Sequence, residues 1–240
     1  MSTEPRIEVH DDSATLATAV AGELLSRLAD IQATPRVPHI SLTGGTIAED
    51  IHRELARLAP ASDVDWSKVV VWFGDERFVA PDSPDRNVGQ AREAFLDAVG
   101  ATQVHPMPST ADAADVDAGA AAYAETLREH GSGEFDVMML GIGPDGHIAS
   151  LFPGFPQLDV IDEVAVGVTG SPKPPPERIS LTLSALDRSR SVWFLVSGSG
   201  KAPAVASALG GADVHEIPAA GVTGREETIW FLDREAASEL

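Results

Sequence analysis

The sequence predicts an α/β fold of three layers: a mostly parallel sheet with helices on both faces, built as one domain over residues 1–240. Three observations carry this expectation. Apolar runs of strand length alternate along the chain with longer segments whose apolar residues recur at helical spacing. The runs at 68–74, 135–140 and 191–196 show no polar alternation, as expected of strands buried on both faces. Several runs end in small-residue turns, and in a parallel sheet such turns fall on one edge. No stretch is long or biased enough to mark a linker, and no internal repeat is visible.

The elements follow in order. Residues 7–9 read as a short first strand. Asp12 or Ser13 caps a helix over roughly 13–31, with Leu16, Val20, Leu24, Leu28 and Ile31 on one face. A strand at 37–42 ends in Thr43-Gly44-Gly45-Thr46, and Ile47, Ile51, Leu55 and Leu58 give the next helix its apolar face. The strand at 68–74 runs into Asp75-Glu76-Arg77. Helices are expected at 87–99 and 113–130, stopped by Gly100 and Gly131. The strand at 135–140 breaks into Gly141-Ile142-Gly143-Pro144-Asp145-Gly146-His147, a turn no regular element tolerates. Residues 164–168 read as a strand, Ser171-Pro172-Lys173-Pro174-Pro175-Pro176 as a rigid extended segment, and 178–183 as a strand or a strand-to-helix corner. The strand at 191–196 leads through Ser197-Gly198-Ser199-Gly200-Lys201 into a helix ending near Leu209, and 228–232 is the last strand.

Composition narrows the function. There are 37 acidic against 17 basic residues, a formal charge of −20, so nucleic acid and anionic membranes are not expected as partners. No apolar stretch approaches the ~18 residues needed to cross a bilayer. The first ten residues lack the basic start and apolar run of a signal peptide. With no cysteine, disulfides and thiolate metal sites are excluded, and a cytoplasmic location is expected. Lysine occurs only at 68, 173 and 201, so an anionic ligand must be held by a few local cations and by backbone N–H groups.

Four strand ends carry chemistry. Glycines before a helix, as in Thr43-Gly44-Gly45-Thr46, let a phosphate approach free backbone N–H groups at the positive end of the helix dipole. An ordinary capped turn fits the same residues, and no Gly-Lys-Ser/Thr follows to make a Walker loop. Lys201 after the second glycine turn puts a cation at a helix start, a mildly unfavourable place that an anion would offset. A solvated lysine is the plain alternative. Asp75, Glu76 and Arg77 form either a site or a surface cluster. Asp145 and His147 offer an acid–base pair or a tight turn with a hydrogen-bonded histidine. Gly141-Ile142-Gly143-Pro144-Asp145-Gly146 matches a dinucleotide fingerprint formally, but Pro153 and Pro156 cut off the helix that motif requires. Asp145 and His147 are too few for a metal site. His10, His39, His52, His105, His130 and His215 lack any supporting motif and read as structural or solvated.

The ordered set of Ser41-Leu-Thr-Gly-Gly-Thr46, Trp72-Phe-Gly-Asp-Glu-Arg-Phe-Val79, Asp85-Arg-Asn87, Gly141 to His147 with Ser150-Leu-Phe-Pro-Gly154, Pro176-Glu-Arg-Ile-Ser-Leu-Thr182 and Gly200-Lys-Ala202 resembles the 6-phosphogluconolactonases of the pentose phosphate pathway. The resemblance spans residues 41 to 202. It implies the fold shared with glucosamine-6-phosphate deaminases and ribose-5-phosphate isomerases. It also implies hydrolysis of 6-phospho-D-glucono-1,5-lactone, with no metal or other cofactor. In that reading His147 is the general base, Asp145 or Asp75 orients its ring, and Arg77 holds the oxyanion or sugar hydroxyls. Gly44, Gly45, Thr46, Arg178 and Lys201 take the phosphate. Ser150-Leu151-Phe152 stands where deaminases place a supporting glutamate, and Arg77 where they have tyrosine. Ile47 replaces a frequent proline, and Ile148 is the deaminase-like residue where lactonases usually have threonine. A deaminase or isomerase using Asp75 as base, and a sugar-phosphate sensor that dispenses with His147, are the alternatives.

Overall fold

A computed structural model describes residues 4–240; Met1, Ser2 and Thr3, the start of the stretch read as lacking a signal peptide, lie outside the described residues. Seven strands form a parallel sheet: β1 (Arg6–His10), β2 (His39–Leu42), β3 (Val70–Phe73), β5 (Gln103–Val104), β6 (Phe135–Gly141), β9 (Ser189–Val196) and β10 (Glu227–Asp233), in the order β1-β10-β9-β6-β2-β3-β5. Between these come α1 (Ser13–Gln32), α2 (Thr46–Leu58), α3 (Asn87–Ala91), α4 (Val116–His130), α5 (Leu183–Leu186) and α6 (Ala202–Leu209).

The central strands split their side chains between two cores, as the period of two demands. Val71, Phe73, Val137, Met139, Trp193, Leu195, Ile229 and Phe231 face α1 and α2. Val70, Trp72, Met138, Leu140, Val192, Phe194, Trp230 and Leu232 face α4 and α6. This is why the runs showed no polar alternation: each face is covered.

Local chemistry sets the helix ends. Asp12 caps α1 by accepting the Thr15 N–H at 2.8 Å, while the Thr15 hydroxyl accepts the Asp12 N–H at 3.1 Å. Asp115 accepts the Ala118 N–H at 2.8 Å, so α4 starts three residues later than its apolar pattern suggested. The helix expected at 87–99 begins as α3 but continues as a π-helical turn, Arg92–Leu96, that turns Phe95 and Leu96 into the core.

The departure from a single sheet is a second, antiparallel one. Asp75–Arg77 is a strand, β4, not a turn. It pairs with β8 (Arg178–Leu181), which pairs with β7 (Ala165–Val168). The ambiguous segment at 178–183 is both things proposed for it, a strand leading directly into α5.

His52, on α2, is buried against Phe95 with ring centroids 4.9 Å apart. Burial, and secondarily the charge of Arg53, lowers its pKa to about 4. Below pH 6.5 the unfolded chain takes up a proton that the folded chain refuses, so stability falls with pH until about 4. Between pH 7 and pH 5 the expected loss from this residue is about 2 kcal/mol. Chemical denaturation at the two pH values should show that slope, and His52→Leu should remove most of it.

Candidate active site

Strands β9, β6, β2 and β3 lie side by side, so the turns after them meet at one edge of the sheet. They border a cleft of about 550 Å³. Its lining includes Gly44, Gly45, Thr46, Asp75, Arg77, His147, Arg178 and Lys201, with Asp145 immediately behind His147. All of the residues singled out in the sequence therefore converge on one place. Among the described residues no three His, Asp or Glu side chains converge as a metal site.

The His147 turn is built by glycine. A Cβ on Gly143 would stand 2.0 Å from His147 Nδ1 and 2.3 Å from Asp145 Oδ1, so only glycine lets the ring and carboxylate fold back over the backbone. The Gly143 N–H donates to the His147 carbonyl at 2.8 Å and closes the turn. Asp145 Oδ1 lies 2.5 Å from His147 Nδ1. Partial burial pushes the Asp145 pKa up, but the hydrogen bond and charge of His147 outweigh it and hold the carboxyl at about 2. One face of the imidazole packs on Phe152, centroids 4.6 Å apart. Ile148 points away into the core and is fully buried, so its deaminase-like identity does not reach the cleft.

Asp75 does a different job. Its Oδ2 accepts the Ser150 hydroxyl at 2.7 Å and lies 4.0 Å from Arg178 Nη1. Asn87 Nδ2 donates to its carbonyl at 2.9 Å and to Oδ1 at 3.4 Å. Of the two carboxylates considered as the orienter of His147, it is Asp145 that makes the contact. Asn87 in turn accepts from Arg77 Nη1 at 2.8 Å, and Arg77 Nη1 also reaches the Asp85 carbonyl at 2.7 Å. Buried Glu76 anchors this corner by accepting the N–H groups of Arg77, Asn87 and Val88. Burial raises the Glu76 pKa, opposed by those same N–H groups and by Arg86.

Gly44 packs on Asn87 so closely that a Cβ would stand 2.0 Å from Asn87 Oδ1. Lys201, just before α6, donates from Nζ to the Ile142 carbonyl. Its position at a helix start thus has a protein partner as well as an open side. Burial first, then the charge of Lys173, lowers its pKa. Arg178 is buried, and its Nε and Nη2 donate to the carbonyls of Pro175, Lys173 and Pro174 at 3.2, 3.1 and 3.3 Å. Burial, with Arg77 adding repulsion, lowers its pKa, while Asp75 opposes the shift.

Among the lining residues not expected from the sequence are Asn87 and Lys173. Asn87 was visible only as part of a motif, since nothing in its neighbours marks it as the link between Arg77 and Asp75. Lys173 had a signal: it is one of three lysines and sits in a proline-fixed segment.

Residues 11–230 match the family described as glucosamine-6-phosphate isomerases/6-phosphogluconolactonase. A 6-phosphogluconolactonase of Streptomyces coelicolor is 45% identical, over 100% of this chain and 96% of the relative. One from Mycobacterium tuberculosis is also 45% identical, covering 98% of each chain. The crystal structure of a 6-phosphogluconolactonase from Shewanella baltica superposes with a TM-score of 0.85 at 25% identity, covering 97% of this chain and 99% of that one. By sequence along nearly its whole length and by its fold, this chain belongs to the glucosamine-6-phosphate isomerase/6-phosphogluconolactonase family.

Proposed function

We propose that the chain, acting as one unit over residues 1–240, hydrolyses 6-phospho-D-glucono-1,5-lactone to 6-phosphogluconate in the oxidative pentose phosphate pathway. The observation that carries this reading is the 2.5 Å contact between Asp145 and His147 Nδ1 at the wall of the cleft. With the carboxylate on Nδ1, that nitrogen carries the hydrogen and Nε2 is the basic one. Nε2 takes a proton from water as the water oxygen bonds to C1 of the lactone. The resulting imidazolium, stabilised by Asp145, gives that proton to the ring oxygen as the C1–O bond breaks. The product acid then ionises.

The phosphate is placed at the N-terminus of α2, against the backbone of Gly44, Gly45 and Thr46, with Lys201 and the cleft-facing side of Arg178 adding charge. Arg77, steadied by Asn87, is assigned to the sugar hydroxyls. Asp75 has one oxygen on Ser150 and the other near Asn87, which suits a fixed counter-ion better than the mobile proton carrier a deaminase needs. None of the described residues that border the cleft is a glutamate. No helix among the described residues is long and apolar enough to cross a membrane. We place the enzyme in the cytoplasm, which a chain without cysteine suits.

The test is a pair of assays on one preparation. Freshly made lactone should disappear faster than its spontaneous rate with chelator present and nothing added. Glucosamine 6-phosphate should release no ammonia. Ammonia release without accelerated lactone loss would assign the cleft to the deaminase branch.

A further inference from the structure

A second cavity, of about 340 Å³, lies at the opposite edge of the sheet from the cleft. His39 and Phe135 line it, and they stand at the starts of β2 and β6, the strands whose far ends lead into the cleft. The two cavities are thus a strand length apart, about 20 Å along the seven residues of β6. The walls include Leu127, Val164 and Ala185 beside Phe135, a surface that suits an apolar occupant.

One polar group in this cavity is fixed by its neighbours. His39, which no sequence motif marked, is only 7% exposed. Trp72 Nε1 lies 3.2 Å from His39 Nδ1, and an indole N–H can only donate. Nδ1 is therefore the bare nitrogen, and Nε2 carries the hydrogen. The indole is not free to offer another arrangement, because His105 stacks on it at 4.4 Å between centroids and Tyr123 meets it edge-on at 6.1 Å. The His39 N–H is held by Asp136 Oδ2 at 2.8 Å. Burial first, opposed by Asp136, lowers the His39 pKa, so the ring is neutral at pH 7. Among the described residues no protein acceptor meets the Nε2 hydrogen, yet Nε2 is not one of the nitrogens sealed in the core without a partner. It opens on the cavity that His39 lines. A donor this buried, with apolar walls around it, lacks the acceptor that would offset its desolvation.

The rim sets the sign of the charge. Arg128 and Arg188 border the cavity, and Arg128 Nε reaches only the Ala124 carbonyl of its own helix, at 3.3 Å. Glu134, the acid beside them, is turned to Arg190 Nε at 2.7 Å and Arg225 Nη1 at 3.5 Å. Two arginines are thus left without an acidic partner among the described residues, in a chain whose formal charge is −20. A guanidinium fork matches the paired oxygens of a carboxylate. A phosphosugar would set its hydroxyls against the apolar walls and lose their water.

We propose that this cavity is a second binding site, for a small carboxylic acid with an apolar body. The carboxylate accepts the His39 Nε2 hydrogen in the field of the two rim arginines, and the body lies against Leu127, Phe135 and Val164. The site uses no residue of the cleft, so it stands apart from the hydrolase reading.

Benzoate is the probe. Calorimetry on the intact protein should show one saturable site that 6-phosphogluconate does not displace. Benzyl alcohol, similar in shape but uncharged, should bind about tenfold more weakly or worse. Arg188→Gln, a change at an exposed position, should weaken benzoate about tenfold with the melting curve unmoved. In ¹H–¹⁵N spectra of the histidine rings, the parent's His39 should be protonated at Nε2, and that signal should move as benzoate is added. His39→Phe should weaken benzoate as well, and if that variant is unstable the parent's His39 signal decides alone. Absence of saturable binding, displacement by 6-phosphogluconate, parental affinity in Arg188→Gln, or a His39 signal that benzoate leaves in place would each overturn the proposal.

Discussion

His147→Ala should lose about 10²–10⁴-fold in kcat, with the fold and product binding kept. The turn that carries the ring is closed by backbone, through the Gly143 N–H and His147 carbonyl, so removing the side chain leaves the turn closed. The imidazole does pack on Phe152, and its loss opens a small space, but the side chain is partly exposed and the cost to stability should be slight. What disappears is the only imidazole among the described residues that border the cleft. Without it, water must attack the lactone unassisted at the base step and the leaving oxygen must find its proton from solvent. Lactone-loss kinetics alongside a calorimetric titration with 6-phosphogluconate separates the two effects. A variant that keeps a near-parental kcat would reduce His147 to a structural residue and favour a sugar-phosphate sensor on this fold.

Asp145→Asn should cost about 10²-fold in kcat while KM changes little. The substitution keeps the size of the side chain and removes its charge. A carboxylate held at about 2 is ionised across the working range and accepts only, which forces the hydrogen onto His147 Nδ1. An asparagine can turn its NH₂ toward Nδ1, which places the hydrogen on Nε2 and leaves no base facing the cleft. Where its carbonyl faces the ring, the imidazolium still loses its counter-charge. The rate should fall on both counts. The variant's pH–rate profile, set beside the parent's, shows whether the remaining activity comes from the ring or from solvent hydroxide, which would rise tenfold per pH unit. An unchanged kcat would mean that the 2.5 Å contact serves only to shape the turn.

The parts of this site legible in the sequence are those whose physics is local. A buried strand followed by glycines and a polar pair announces itself in about ten residues, and Thr43 to Thr46, 141–147 and 197–201 were all found that way. Asp145 and His147 are two residues apart, so their contact was open to proposal. The antiparallel sheet was not legible. Its strand Asp75–Arg77 is three charged residues with no apolar alternation, and it is a strand only because Arg178–Leu181 lies opposite, a hundred residues later. The same sheet brings Ser180 and Ser150 beside Asp75, a pairing that no spacing rule encodes. Lys173 was readable as scarce but not as placed, because its position depends on what Arg178 does with its donors.

The His147 turn owes its accuracy to residues that carry no chemistry. Its outer side rests on a distant stretch: the Ala219 N–H donates to the Gly146 carbonyl at 3.0 Å, and a Cβ on Gly146 would lie 2.8 Å from Ile217 Cδ1. The carbonyl of His215 accepts the Gly154 N–H at 2.9 Å, pinning the far end of the same loop. Ala219 is anchored in the core, but residues 213–216 have no regular structure and lie toward the surface, where local opening costs less than global unfolding. Aim and integrity are therefore separable in this molecule. Drift in sequence or heat that loosens 213–216 frees the far end of the loop that carries the imidazole while both cores stay packed, so the enzyme falls silent before it falls apart.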